Sequence, residues 1–176
     1  GGEGSGKSSH SRKLADWLAS RGHDAVLTRE PGGTPGAEEI RKLLVQGEAA
    51  RWEPMTEALL HYAARRDHVS KIIKPALARG AWVICDRFAD STRAYQGAAG
   101  GTDPALIAAL EAQVLEATRP DLTLVLDLPA DIGLARAADR AGAETRFESP
   151  SRFTATVQSL EGKPVVFEFS RSGLAW

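Results

Sequence analysis

The chain has 176 residues, of which 43% are apolar and 26% charged, and its net charge is −1. That length and composition suit one globular domain with a buried core, and the near-neutral charge gives no sign of a nucleic-acid polymer or a charged membrane surface as partner. A single cysteine, Cys85, excludes an intramolecular disulfide and a cysteine-rich metal site, and it suits a reducing cytoplasm. No apolar run reaches the ~18 residues of a membrane span and no signal-peptide layout is visible, so neither membrane insertion nor export is expected.

The chain opens on Gly1-Gly2-Glu3-Gly4-Ser5-Gly6-Lys7-Ser8, which fits G-x-x-x-x-G-K-[ST], the P-loop that wraps nucleotide phosphates. Glycines let the backbone curl so that successive N–H groups face an anion. Lys7 supplies positive charge for the β- and γ-phosphates, Ser8 a hydroxyl for Mg²⁺, and the helix beginning near Lys7 its positive end. The pattern also occurs by chance in unrelated glycine-rich turns, and the bland alternative here is a flexible N-terminus.

Leu14, Trp17 and Leu18 then lie on one helical stripe that Gly22 ends. Ala25-Val26-Leu27 reads as a short buried strand, followed by a turn-rich loop from Thr28 to Gly33. Ala37 to Val45 reads as a helix. Pro54 starts a longer one, with Met55, Leu59, Tyr62, Val69, Ile72 and Ile73 on its apolar stripe. Trp82 to Cys85 is a strand ending at Asp86-Arg87. A glycine-rich loop, 97–101, precedes a helix from Pro104 to Glu116. Leu122 to Leu128 reads as a fully buried strand, and Asp131 to about Arg140 as a helix.

Strands alternating with helices predict an α/β fold, a parallel sheet flanked by helices in three layers. Ligands then sit beyond the carboxyl ends of the strands. Arg29-Glu30 and Asp86-Arg87 both fall there. Both ends of the sequence depart from this plan. A P-loop ordinarily follows a buried strand, so a strand ahead of Gly1 is expected in the natural protein. The segment 149–176 changes character and offers one strand, Val165 to Phe169.

With these segments in order, the chain resembles thymidylate kinases, P-loop enzymes that phosphorylate dTMP to dTDP with ATP. The resemblance covers Gly1 to about Glu148. It is carried by the P-loop with Glu3, by Thr28-Arg29-Glu30-Pro31-Gly32-Gly33-Thr34, by the run from Thr56 to Arg65, by Asp86-Arg87-Phe88, by the run from Ser91 to Gly97, and by Arg119-Pro120-Asp121-Leu122-Thr123. It implies one P-loop kinase domain over 1–176, with a mobile lid at about 136–148 and an atypical tail at 149–176.

The resemblance also implies roles. Residues Gly1, Gly2, Glu3, Gly4, Ser5, Gly6, Lys7, Ser8 and Ser9 would hold the ATP phosphates, and Ser8 with Asp86 would hold Mg²⁺. Glu3 would also accept from the deoxyribose 3′-hydroxyl. Arg41 and Arg87 would clamp the dTMP phosphate, where a planar fork suits phosphate oxygens. Arg65 would donate to a thymine carbonyl; by residue type alone, Arg41 and Arg65 are equally well surface helix charges. Ser91, Thr92, Tyr95 and Gln96 would line the nucleoside pocket, and Tyr95 would crowd out a 2′-hydroxyl. His61 stands where the family usually has a Phe stacked on the base. Glu30 would order the acceptor loop. Cys85 reads as a small buried hydrophobe, and His10, His23 and His68 as structural or surface residues without metal-ligand spacing.

The acceptor phosphate, with a second pKa of about 6, is ionised at neutral pH, so no general base is required. Lys7, Arg87 and Mg²⁺ would neutralise charge. The P-loop carries no arginine, so the resemblance implies lid arginines, Arg140 or Arg146, as further catalytic groups. It also implies a homodimer formed by packing helices, for which 37–45 and 55–78 could serve although their apolar stripes could equally face only the sheet, and a cytoplasmic enzyme of dTTP biosynthesis. Two other readings stand beside this one: a related nucleoside monophosphate kinase, and a catalytically impaired nucleotide-binding fragment.

Overall fold

The computed structural model describes residues 2–46, 51–142, 152–158 and 164–170, with side chains through residue 136. The chain divides into two compact units, one formed by Leu14–Arg119 and the other by Gly1–Lys13 with Pro120–Trp176. Helix α1, Lys7–Ser20, runs from the second into the first.

In the unit 14–119, strands β1 (Ala25–Arg29) and β2 (Trp82–Asp86) pair in parallel, Ala25 opposite Trp82 through Arg29 opposite Asp86. A crossover of helices joins them, as parallel strands require. Helix α2, Pro35–Val45, starts on the Thr34 side chain, which accepts from the Ala37 N–H at 3.1 Å. Helix α3, Pro54–His68, continues through a π-helical turn, Val69–Ile73, into α4, Lys74–Ala78. Pro75 explains the wider turn. It has no N–H to give the Lys71 carbonyl, and the chain relaxes to a bond from Lys74 N–H back to Val69. After β2 come α5 (Ala89–Thr92), a π-helical stretch Arg93–Ala99, and α6 (Pro104–Leu115), capped by Asp103. Val69, Ile73, Ala89 and Leu115 form the core, with Val83, Phe88 and Val114 packed on it.

The expected apolar stripes hold in part. Leu18, Tyr62, Val69 and Ile73 are buried, whereas Trp17, Leu27, Met55, Leu59 and Trp82 are exposed. Strand β1 is thus half-buried rather than buried. The predicted loop 97–101 shrinks, because Gly97 to Ala99 stay helical. Gly97 permits this: a β-carbon there would press on Ile107 of α6.

In the other unit, the predicted strand Leu122–Leu128 is reduced to β3, Val125–Leu126, and Leu122, Leu124 and Val125 are exposed. Apolar composition signals a strand but not its neighbours. The described pairing of β3 is a two-residue antiparallel ladder with β4, Arg152–Gln158. The fully buried reading of this run is therefore corrected. The expected strand Val165–Phe169 falls within β5, Pro164–Ser170, antiparallel to β4. Strand β4 was not anticipated, although Phe153, Ala155 and Val157 alternate with threonines at period two. Helix α7, Ala130–Gly142, matches its expectation. Among the described residues, no helix is long and apolar enough to cross a membrane.

Candidate nucleotide site

The phosphate loop is shaped by its backbone. Gly4 and Gly6 have φ of +67° and +85°, the left-handed region that glycine enters without strain. Lys7 Nζ donates to the Gly2 carbonyl at 2.6 Å, and Ser5 Oγ donates to the same oxygen at 2.9 Å, which ties the loop to the start of α1. The first turn of α1 contains no acidic residue, so its positive end suits an anion. Gly133, in the first turn of α7, lies directly against the loop. A β-carbon on Gly133 would collide with the Glu3 carbonyl, and one on Gly4 would collide with the Gly133 carbonyl. Two glycines are thus required by one close backbone approach. Glycine loop, lysine and Ser8 hydroxyl together fit the phosphates and hydrated Mg²⁺ of a nucleotide.

A separate candidate site lies in the unit 14–119, at the carboxyl ends of β1 and β2. The Glu30 N–H donates to the Asp86 carbonyl at 3.0 Å and carries the ladder one bond past β1. Glu30 is thereby turned into the protein, where its side chain is 3% exposed. There it meets Arg65, on the buried face of α3 and 2% exposed, through Nε to Oε2 at 2.7 Å. Arg65 Nη2 donates to Thr92 Oγ1 at 3.2 Å, and the guanidinium lies 4.7 Å from the Tyr62 ring and 5.4 Å from that of Phe88. Its remaining nitrogen, Nη1, is buried with no partner among the described residues. A buried unsatisfied donor costs about 1–3 kcal/mol, so this nitrogen asks for an acceptor.

His68, also fully buried, closes the cluster. Its Nδ1 is 3.0 Å from Glu30 Oε1 and its Nε2 is 2.7 Å from Thr28 Oγ1. One ligand atom each of Glu30, His68 and Cys85 lies within 4.8 Å of the others. Both Glu30 oxygens and both His68 nitrogens are already hydrogen-bonded, and Arg65 already balances the carboxylate. The set therefore reads as an internal network, not a metal centre.

Around it, helix α2 pins the loop 31–33. Arg41 Nη1 donates to the Pro31 carbonyl at 2.8 Å, and the Gly33 N–H donates to Glu38 Oε1 at 3.0 Å. That N–H, with Arg29, holds the Glu38 carboxyl below the usual range. Thr34 Oγ1 donates to Asp67. Arg87 follows β2 with φ +68°, a strained conformation for a non-glycine residue, and its guanidinium lies 5.5 Å from the Tyr95 ring. Cys85 Sγ donates to the Arg87 carbonyl at 3.1 Å, and burial pushes its thiol pKa well up, as befits an unreactive side chain. Burial, and then the charges of Arg65 and Arg87, push the His61 pKa down to about 4. The imidazole is neutral at physiological pH.

The structure thus brings together Glu30, Arg65 and Thr92 in one network, and sets His61 near both Arg65 and Arg87, with Tyr95 beside Arg87. Ser91 precedes Thr92 on α5 and is half-buried. Gln96 is buried and donates to Glu57 Oε2 at 3.1 Å. Asp86 ends β2 within the unit 14–119, whereas Glu3, Lys7, Ser8 and Ser9 belong to the other unit. Gly1, Arg146 and the Arg140 side chain lie outside the described residues. The surface-charge reading of Arg65 is overturned by its burial. The sequence reading missed the bridging role of His68, Thr28 and Glu57. A signal was available: Tyr62, Arg65 and His68 recur every three residues on the stripe that carries Val69, which places a cation and an imidazole at core positions.

Comparison with known proteins gives one consistent result. A family model described as thymidylate kinase matches residues 1–161. The thymidylate kinase of Caulobacter vibrioides is 66% identical over 149 residues, spanning 85% of this chain and 71% of its own. That of Ruegeria pomeroyi is 56% identical over 146 residues, spanning 83% and 69%. The crystal structure of thymidylate kinase from Ehrlichia chaffeensis superposes with a TM-score of 0.67 at 42% identity, covering 77% of this chain and 72% of that one.

Proposed function

Because this chain belongs to the thymidylate kinase family, we infer that it phosphorylates dTMP to dTDP with ATP as donor. The observation that carries the acceptor is Arg65. It is a buried arginine held by Glu30 and Thr92, with one nitrogen lacking a partner. A pyrimidine carbonyl is the acceptor such a donor suits. Glu30 then acts through Arg65 rather than on the nucleotide, since its own oxygens are engaged.

Gly2 to Ser9 hold the ATP phosphates, with Lys7 on the β- and γ-oxygens. Ser8 and Asp86 would be the residues to hold Mg²⁺, which would offset the negative charge of those oxygens. Arg41 and Arg87 bind the dTMP phosphate, which attacks as a dianion without a base. Arg41 must leave the Pro31 carbonyl to do so fully. Arg87 is presented by its strained backbone, a cost found at functional positions. His61 stacks on thymine as a neutral ring, while Ser91, Thr92, Tyr95 and Gln96 border the nucleoside. Arg140 and Arg146 come from the lid at 136–148. Both units form one kinase domain, a reading supported by a family match that runs through both. The exposed Leu43 and Val45 of α2 and Met55 and Leu59 of α3 supply an apolar face for a homodimer. We place the enzyme in the cytoplasm.

The test is ADP release from Mg-ATP with dTMP, AMP, CMP or UMP as acceptor. Turnover preferring dTMP is expected. Equal turnover with UMP would remove base recognition, and none with dTMP would remove the kinase. Arg65→Ala should raise the KM for dTMP far more than that for ATP; an equal effect on both would count against its base contact.

A further inference from the structure

We propose that His68 is a positioning residue for the nucleobase: by holding one oxygen of Glu30, it sets the orientation in which Arg65 presents Nη1. The inference rests on the reading of Arg65 as the base contact.

The hydrogen-bond chain runs Thr28 Oγ1, His68, Glu30, Arg65, Thr92 Oγ1, with lengths of 2.7, 3.0, 2.7 and 3.2 Å in that order. Each proton in it is assigned by chemistry. Glu30, beside a guanidinium, is a carboxylate and only accepts. His68 Nδ1 must therefore carry the proton that faces Oε1. A neutral imidazole then offers its Nε2 lone pair, and the Thr28 hydroxyl donates to it. The ring has no other polar freedom, because His68 is fully buried and Gly33 packs on its edge.

This arrangement keeps Glu30 on Arg65 through one oxygen. A carboxylate free to rotate prefers a two-bond fork on a guanidinium. On this arginine the side-on fork would take Nε and Nη2 together. It would draw Nη2 from Thr92, turn the guanidinium between Tyr62 and Phe88, and re-aim Nη1. His68 opposes that turn by drawing Oε1 toward its Nδ1 and away from the guanidinium. Its role is thus directional, distinct from filling the core.

Two substitutions separate direction from packing. The amide nitrogen of Asn reaches the position of Nδ1, so His68→Asn keeps the donor to Glu30 and loses Thr28. The amide of Gln reaches the position of Nε2, so His68→Gln keeps Thr28 and leaves Oε1 unheld. His68→Asn should leave the KM for dTMP within about threefold, whereas His68→Gln should raise it about tenfold or more, the scale of a displaced hydrogen bond to a charged group. The KM for ATP should change in neither. Equal KM values for dTMP in the two variants, or losses that follow their thermal stabilities, would make His68 structural only and overturn the proposal. A second measurement needs no variant to fold. Imidazole ¹⁵N spectra of the nucleotide-free chain should show a proton on His68 Nδ1. The opposite tautomer would overturn the proposal whatever the kinetics. If Arg65→Ala leaves the KM for dTMP unchanged, the base-contact reading fails instead, with the tautomer result still standing.

Discussion

The phosphate loop and the Arg65 cluster hold charge by opposite means. In the loop, glycines, backbone carbonyls and one lysine do the shaping, and Gly2, Glu3, Ser8 and Ser9 are exposed. In the cluster, side chains from β1, α3 and α5 bind one another out of water, and each depends on the next. A backbone cradle accepts any polyphosphate, because every nucleotide presents the same oxygens. A buried arginine with one open nitrogen is selective, since its desolvation is offset only by an acceptor at one place. The comparison predicts that damage to the loop strikes catalysis, while damage to the cluster strikes dTMP recognition, with a loss of stability where a buried charge is left unpaired.

The largest effect should come from Lys7→Ala. Losing the charge that follows the transferring phosphoryl group should lower kcat about 10³-fold, with dTMP affinity little changed. Steady-state ADP release together with equilibrium dTMP binding checks this, and near-normal turnover would remove the P-loop assignment. Glu30→Gln comes next. It leaves a buried guanidinium without its counter-charge, which should cost about 3–5 kcal/mol of stability. Chemical denaturation measures that cost. A variant as stable as the parent would mean that the cluster is not the dry, interdependent network the burial implies.

Gly133→Ala probes the loop from the side of α7. The added methyl group has no room beside the Glu3 carbonyl. An overpacked contact of this kind should cost about 1–3 kcal/mol and displace the loop. The KM for ATP should rise while that for dTMP stays put. A rise in both would mean that the two regions do not separate as the comparison holds.

The contrast also governs what could be read without a structure. The phosphate loop is local in sequence, so its glycines and lysine announce it, and strands β1 and β2 with their polar ends follow from period and composition. The Arg65 network is held by bonds between residues up to 40 positions apart, as with Thr28 and His68, and no local spacing encodes that pairing. Resemblance pointed to Arg65 and Thr92, yet His68 carried no sign beyond its place on a buried stripe. Met55 and Leu59 show the converse: a helical stripe records which residues are apolar, not what covers them, and both are exposed. Gly133 shows the same limit, because its need for glycine comes from a loop more than a hundred residues away.

His61→Phe should have the smallest effect, and its pH dependence makes it informative. Burial and two neighbouring arginines hold the imidazole pKa at about 4, below the 6.5 of a solvated histidine. A depressed pKa favours the neutral folded form. Its contribution to stability is therefore complete above about pH 6.5 and is lost as pH falls toward 4, because the unfolded chain takes up the proton first. At neutral pH, His61 and Phe both present an uncharged ring to the base, so the KM for dTMP should stay equal or fall slightly. Below about pH 6 the variants should part, with the parent losing stability on acidification more steeply than His61→Phe. A large loss of dTMP affinity in the Phe variant at neutral pH would instead mean that an imidazole nitrogen hydrogen-bonds the nucleotide. Base selectivity would then be shared between His61 and Arg65.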